Sequence, residues 1–159
     1  MMPPLALSSV PSGTEILLDA NVIAYALLGR SRQCEEFLER CAKGEISAFT
    51  AVEVLSDTCH RLMLSEALSQ GLIGRDSASN IQGKSHVIRQ LNDYWTRLST
   101  VTQHAIAVLP LDEFRFIRAQ PIRRDLGLMT TDSLLIAAAE VFGISALATN
   151  DSDFDVVHG

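Results

Sequence analysis

The stretch TEILLDANVIAYALLG, residues 14–29, decides the fold that we expect for this chain. Its first part is a short apolar run that ends at Asp19, and this pattern predicts a buried strand. From Asn21 to Leu28 the apolar residues follow a helical pattern, which Gly29 ends. An acid that ends a buried strand lies near the centre of a domain, where an unpaired charge is costly. Asp19 is therefore the first candidate for a functional residue.

The rest of the chain repeats this alternation of short apolar runs and helical patterns. We predict further strands at 46–49, 105–109 and 145–148, and helices at 32–43, 51–68, 86–100, 112–125 and 132–142. The Gly- and Ser-rich residues 70–83 are predicted to form a loop or a helix break, and Pro121 to break or restart its helix. Residues 155–158 could add a short edge strand. This order predicts an α/β fold with a mainly parallel central sheet flanked by helices.

The composition is that of one globular domain. The chain has 159 residues, of which 47% are hydrophobic and 20% charged, so it can bury a proper core. We expect a flexible N-terminal tail at residues 1–13 and one domain at 14–159. A net charge of −6 argues against coating nucleic acid through bulk charge. No apolar run approaches the roughly 18 residues that a membrane span needs.

The three cysteines carry no sign of a metal site. Cys34, Cys41 and Cys59 match no zinc-binding spacing, and we expect them to behave as small buried hydrophobic residues. Their odd number, without a secretion signal, favours a reducing cytoplasm.

Four acids fall where such a sheet places functional groups. Asp19 and Asp151 follow predicted strands, Glu53 lies in the first turn of a predicted helix, and Asp132 opens another. Ligands of open parallel sheets bind at the carboxyl ends of the strands. Carboxylate oxygens are the ligands that Mg²⁺ and Mn²⁺ prefer, and one or two such ions could activate a water for attack on a phosphodiester. The acids thus predict a metal-dependent nuclease.

Structural roles remain open for three of these acids. Thr50 and Glu53 fit the spacing of a capping box. Asp132 fits an N-cap or a first-turn acid that the helix dipole favours. Asp151 fits a turn residue.

Four motifs, in this order, resemble those of PIN-domain ribonucleases. They are ILLDANVI (16–23), FTAVEVL (49–55), GLMTTDSLLIAAA (127–139) and ALATNDSDF (146–154). The resemblance implies a three-layer fold with a central sheet of 4–5 strands in the order 3-2-1-4-5. It also implies that single-stranded RNA or exposed RNA loops are cleaved to 5′-phosphate and 3′-hydroxyl ends, with Mg²⁺ or Mn²⁺ as cofactor.

The resemblance also assigns roles to individual residues. The catalytic, metal-binding acids would be Asp19, Glu53, Asp132 and Asp151, with Asp153 as a second candidate for the last position. Asn21 would help to orient Asp19, and Thr149 would help to orient the last acid.

Many family members of this length are VapC-type toxins, which implies an antitoxin partner and a homodimer. The apolar helix face with Val52, Leu55 and Leu62 could form the dimer interface. Basic residues near the acids are expected to contact RNA, and the alternative is that they form a solvated helix face. These basic residues are Arg118, Arg123 and Arg124, with Arg115, Lys84 and Arg89 as further candidates. The role of residues 68–98 stays open.

Two other functions compete with the nuclease. The first is a non-catalytic PIN-like module that binds RNA or protein, against which the intact set of acids counts. The second is a phosphatase of the haloacid dehalogenase type, which would need D-x-D-x-T after the first strand. Here Asn21 occupies the position of the second Asp.

Overall fold

A parallel sheet with β1 (Glu15–Leu18) in its interior organises the chain. In the computed structural model, which describes residues 5–75 and 81–157, β1 pairs with β2 (Ser47–Ala51) on one side and with β4 (Leu147–Ala148) on the other. Strand β3 (Ala107–Leu109) pairs with β2, so the sheet has the order β3-β2-β1-β4. Leu17 and Leu18 are fully buried, as the apolar run of β1 predicted.

Seven helices of the described residues connect and flank these strands. They are α1 (Ala20–Leu27), α2 (Arg32–Ala42), α3 (Val52–Ser69), α4 (Ser85–Ile88), α5 (Asp93–Leu98), α6 (Glu113–Leu126) and α7 (Thr130–Phe142). The α/β class and the parallel sheet flanked by helices are confirmed. Among the described residues, no helix is long and apolar enough to cross a membrane.

The end of the chain differs from the prediction. In place of a strand starting at Asp155, the segment Ser152–Val156 forms a 3₁₀ helix, with Phe154 buried against the core. His158 lies outside the described residues. The described sheet therefore has four strands, and the fifth strand of the predicted order is not among them.

The N-terminal residues from 5 onwards are held by α2. The Arg40 guanidinium donates to the carbonyl oxygens of Leu7 (3.2 Å) and Val10 (2.6 Å). Val10 is buried in the main core. One arginine therefore ties this segment to the domain.

The predicted helix 86–100 is two short helices, so this prediction is wrong. The break at residues 89–92 follows from the buried carboxylate of Glu66, which accepts the backbone N–H groups of Asn92 (2.8 Å) and Tyr94 (2.8 Å). These bonds supply the N-terminal donors of α5 with a partner, so a new helix begins there. Trp95, on α5, is 61% exposed.

Two further predictions about helices need correction. Pro121 lies inside α6, which continues past it to Leu126. A proline leaves the carbonyl one turn earlier without its donor, but Ile117 is largely exposed, so water can solvate that carbonyl. Leu62, expected on an exposed dimer face, is fully buried, whereas Val52 is exposed.

We expect the Glu66→Gln variant to lose about 2–3 kcal/mol of unfolding free energy near neutral pH, because charge-assisted hydrogen bonds to buried groups are lost. Burial alone would raise the pKa of Glu66, but the hydrogen bonds from the backbone N–H groups around Asn92 have the larger effect and lower the pKa. The stabilisation is thus present above the ordinary carboxyl pKa and is lost as pH falls through the lowered value. Urea unfolding at several pH values measures it.

Glu36→Gln is the matched control, because the Glu36–Arg32 pair is exposed on α2, where water and salt screen it and it contributes little to stability. Equal losses in the two variants would contradict the role of Glu66.

Candidate active site

Asp19 ends β1 and is the N-cap of α1. Its Oδ1 accepts the N–H of Ala20 (2.6 Å), and its Oδ2 accepts Nδ2 of Asn21 (3.1 Å) and the hydroxyl of Thr149 (2.8 Å). The residue is only 8% exposed. Three donors therefore fix the orientation of this carboxylate at the carboxyl edge of the sheet.

Thr149 joins the ends of β1 and β4. Its hydroxyl donates to Asp19 and accepts the backbone N–H of Asp151 (3.0 Å). Beside it, Oδ1 of Asn21 accepts the backbone N–H of Asn150 (3.2 Å). The segment after β4 is thus held against Asp19 through the two residues that the resemblance marked as supporting.

Asp132 lies in the first turn of α7, whose N-cap is Met129. Its pKa is raised to about 6, first by burial and then by the negative charges of neighbouring carboxylates. Those neighbours are Asp19, Asp151, Asp153 and Asp57. We call these five residues the acidic cluster.

The pKa of Asp19 is also shifted by burial and by neighbouring charges. Burial raises its pKa, and the charge of Asp151 adds to this increase. The hydrogen bonds from Thr149 and Ala20 and the positive charge of Arg61 act in the opposite direction. A carboxylate that is buried, hydrogen-bonded and close to another negative charge is typical of functional sites.

Asp151 and Asp153 are both exposed at the start of the 3₁₀ helix. Asp151 is its N-cap and accepts the backbone N–H of Asp153 (2.9 Å). This bond is of the kind expected of a turn residue. Both carboxylates act on Asp132, so either remains a candidate for the last acid of the site.

Asp57 and Arg61 belong to this region and were not predicted. Asp57 lies one turn after Glu53 on α3, and its Oδ2 accepts Nε of Arg61 (2.9 Å). The helical spacing from Glu53 was the available signal, because residues one turn apart share a face.

Glu53 has a different environment from the other predicted acids. Its Oε2 accepts Nη2 of Arg115 on α6, and the side chains are 10% and 1% exposed respectively. Glu53 is not among the charges that raise the pKa values of Asp19 and Asp132. It also forms no capping box, because the N-cap is Ala51 and the Thr50 hydroxyl donates to the carbonyl of Leu18 (3.1 Å).

The Glu53–Arg115 pair leaves polar atoms without partners. Oε1 of Glu53 and both Nε and Nη1 of Arg115 are buried without a hydrogen bond. Arg115, considered for RNA contact, is buried inside the domain and cannot line a surface groove.

Three of the other arginines considered for RNA contact have protein partners. Arg118 pairs with Glu140 (2.8 Å) and Arg124 with Asp125 (2.6 Å), and both are largely exposed. Arg123 donates to the Ser133 hydroxyl (2.9 Å), next to Asp132. Contact of these three residues with RNA stays a prediction.

The donor set fits a hard divalent cation by its chemistry. The acidic cluster offers the carboxylate oxygens of five aspartates, and Glu53 adds a buried oxygen with no partner. Within residues 5–75 and 81–157, however, no three acidic, histidine or cysteine side chains form a group that could hold an ion as they stand.

In the presence of chelator, we expect the Asp132→Asn variant to become more stable than the wild type as pH rises from about 4 to about 6. Above pH 6 the difference in stability should stay constant. The pKa of Asp132 rises from 3.8 to about 6 on folding, so the wild type loses stability as pH passes through this window. Asparagine does not titrate, so the variant avoids that loss. Thermal unfolding at pH 4 to 8 measures the difference.

Glu39→Gln removes one negative charge from the exposed surface of α2 and is the control for net charge. Parallel stability curves for Asp132→Asn and the wild type would contradict the raised pKa.

Comparison with known families agrees with this geometry. The chain matches none of the curated proteins with which it was compared. The family model for the PIN domain matches residues 16–159, which include the acidic cluster, Glu53 and all of β1 except Glu15. The chain therefore belongs to the PIN domain family.

Proposed function

We propose that this protein is a metal-dependent endoribonuclease that hydrolyses RNA phosphodiester bonds. PIN domains are in general nucleases. The observation that carries the proposal is the acidic cluster, with Asp19 held by three donors and Asp132 at a raised pKa. A site that concentrates negative charge at the edge of a sheet is suited to binding a cation before a phosphate.

Mg²⁺ or Mn²⁺ is the cofactor that this donor set suits. Its ligands would come from Asp19, Glu53, Asp132 and Asp151, with Asp153 as the alternative to Asp151. When bound, such an ion supplies Lewis acidity that polarises the phosphate and lowers the pKa of water. Asn21 and Thr149 keep Asp19 in one orientation, so the position of at least one ligand is set before binding.

RNA is the substrate that the surroundings favour. A groove of about 1110 Å³ opens beside Asn21, Thr149 and Asp151 and is lined further along by Tyr25 and Arg30. An aromatic ring and a guanidinium beside the acids are suited to a base and a phosphate of a single strand.

The biological role that we propose is that of a VapC-type toxin in the cytoplasm. It would act as a homodimer and be inhibited by an antitoxin that covers the acidic site. Val52 and Phe114, adjacent in sequence to Glu53 and Arg115, are 46% and 66% exposed and could contribute to the dimer. Sedimentation velocity of the wild type and of Phe114→Ser tests the dimer.

We expect Asp19→Asn to reduce RNA cleavage at least about 100-fold, since even residues that only orient a metal ligand contribute 10- to 100-fold. Cleavage of a labelled single-stranded RNA with Mn²⁺, Mg²⁺ or chelator measures it. Circular dichroism checks that the variant folds.

The control is Asp125→Asn, which removes an exposed carboxylate paired with Arg124 on α6. Equal activity of Asp19→Asn and wild type, or undiminished wild-type cleavage in chelator, would overturn the proposal. Metal-independent RNA binding without cleavage would instead favour a non-catalytic module.

Induced expression in a bacterial host tests the toxin role. Growth arrest by the wild type but not by Asp19→Asn is expected, with relief by the gene immediately upstream. Unaffected growth with the wild type would favour a housekeeping nuclease.

A further inference from the structure

The buried Glu53–Arg115 pair is the most unusual interaction in the described residues. Its guanidinium is 1% exposed, yet it has one hydrogen-bond partner and two nitrogens without any. A buried arginine with unpaired nitrogens is costly in a core that could hold an apolar residue instead. Packing alone therefore gives a poor account of Arg115.

The pair joins two elements at the edge of the sheet where the acidic cluster lies. Glu53 is in the first turn of α3, which follows β2, and Arg115 is in the first turn of α6, which follows β3. Asp112 caps α6 by accepting the N–H of Arg115 (2.8 Å), so the backbone of Arg115 is fixed as well.

The two carboxylate oxygens of Glu53 have different roles in this arrangement. Oε2 is occupied by Arg115, whereas Oε1 is buried and has no partner. A carboxylate held through one oxygen keeps the other in a defined position, and hydrogen-bonded ligands of this kind are typical of metal sites.

We propose that Arg115 is a positioning residue that holds Glu53 through Oε2 so that Oε1 is available as a ligand oxygen for the divalent cation. The inference rests on the proposed function, because it takes Glu53 to be one of the metal-binding acids. Arg115 itself contacts neither the ion nor the RNA.

A purely electrostatic effect of Arg115 predicts the opposite change in Mn²⁺ affinity. If the positive charge of Arg115 only repelled the cation, its removal would tighten Mn²⁺ binding. If Arg115 positions Glu53, its removal weakens binding, even though a positive charge is lost.

The experiment is calorimetric titration of the purified protein with Mn²⁺, in the absence of RNA. Arg115→Met keeps an unbranched apolar side chain but removes every donor. We expect its Mn²⁺ dissociation constant to rise about 10- to 100-fold, as for other residues that orient metal ligands. Arg32→Met, at an exposed arginine of α2 to which no role in the site is assigned, is the control and should bind Mn²⁺ like the wild type.

A double-mutant cycle tests whether Arg115 acts through Glu53. Glu53→Gln should weaken Mn²⁺ binding, and Arg115→Met should add nothing further in the Glu53→Gln background. An equal effect of Arg115→Met with and without Glu53 would overturn the inference, as would unchanged or tighter binding by the single variant.

Arg115→Met leaves a buried carboxylate without its partner and could unfold the domain. In that case the Arg115→Lys variant is titrated with Mn²⁺ instead, because lysine keeps the charge but lacks the planar fork of donors. We expect a smaller but measurable loss of Mn²⁺ affinity, and an affinity equal to that of the wild type would overturn the inference.

Asp19→Asn separates this inference from the proposed function. If Asp19→Asn and Glu53→Gln lose Mn²⁺ binding while the folded Arg115 variants retain it, only the role of Arg115 fails. If the wild type itself binds no Mn²⁺, the proposed function fails.

Discussion

The hydrogen bond from the Thr149 hydroxyl to Asp19 joins the two halves of the site. Asp19 comes from the end of the interior strand β1, and Thr149 follows β4, the neighbouring strand. Because both strands are parallel and end at one edge, a short side chain suffices to connect them. The same hydroxyl accepts the N–H of Asp151, so one oxygen atom contributes both to the orientation of the first acid and to the course of the last segment.

The predicted acids thus have two kinds of environment. Asp19 and Asp132 face other carboxylates, and burial and mutual repulsion raise their pKa values. Glu53 faces the guanidinium of Arg115 and is charge-balanced within the protein. A bound cation stabilises a cluster of like charges by reducing their repulsion. A pair that is already neutral gains little electrostatic stabilisation from the cation, so its contribution depends on its geometry. Glu53 and the aspartates would therefore contribute to the proposed metal site for different physical reasons.

The sequence was most informative where local pattern and burial coincide. The apolar run before Asp19 and the helix after it were predicted correctly because both depend on neighbouring residues. The break before α5 was missed because its cause, Glu66, lies on α3, far away along the chain. The burial of Arg115 was missed for the same reason, since its partner Glu53 is 62 residues away. Asp57 showed a usable signal, the helical spacing from Glu53, but its proximity to Asp132 depends on how α3 and α7 pack.

The separation of 130 residues between Asp19 and Thr149 has a consequence for the order of events during synthesis. Contacts between residues far apart in the chain form late, because most of the chain must be in place before they stabilise anything. A nascent chain that has emerged only as far as β3 lacks Thr149, Asp132 and Asp151 together. The acidic cluster thus assembles only when nearly all of the domain has left the ribosome. For an enzyme that would cleave RNA, this delay keeps unfinished chains inactive beside the RNA that encodes them.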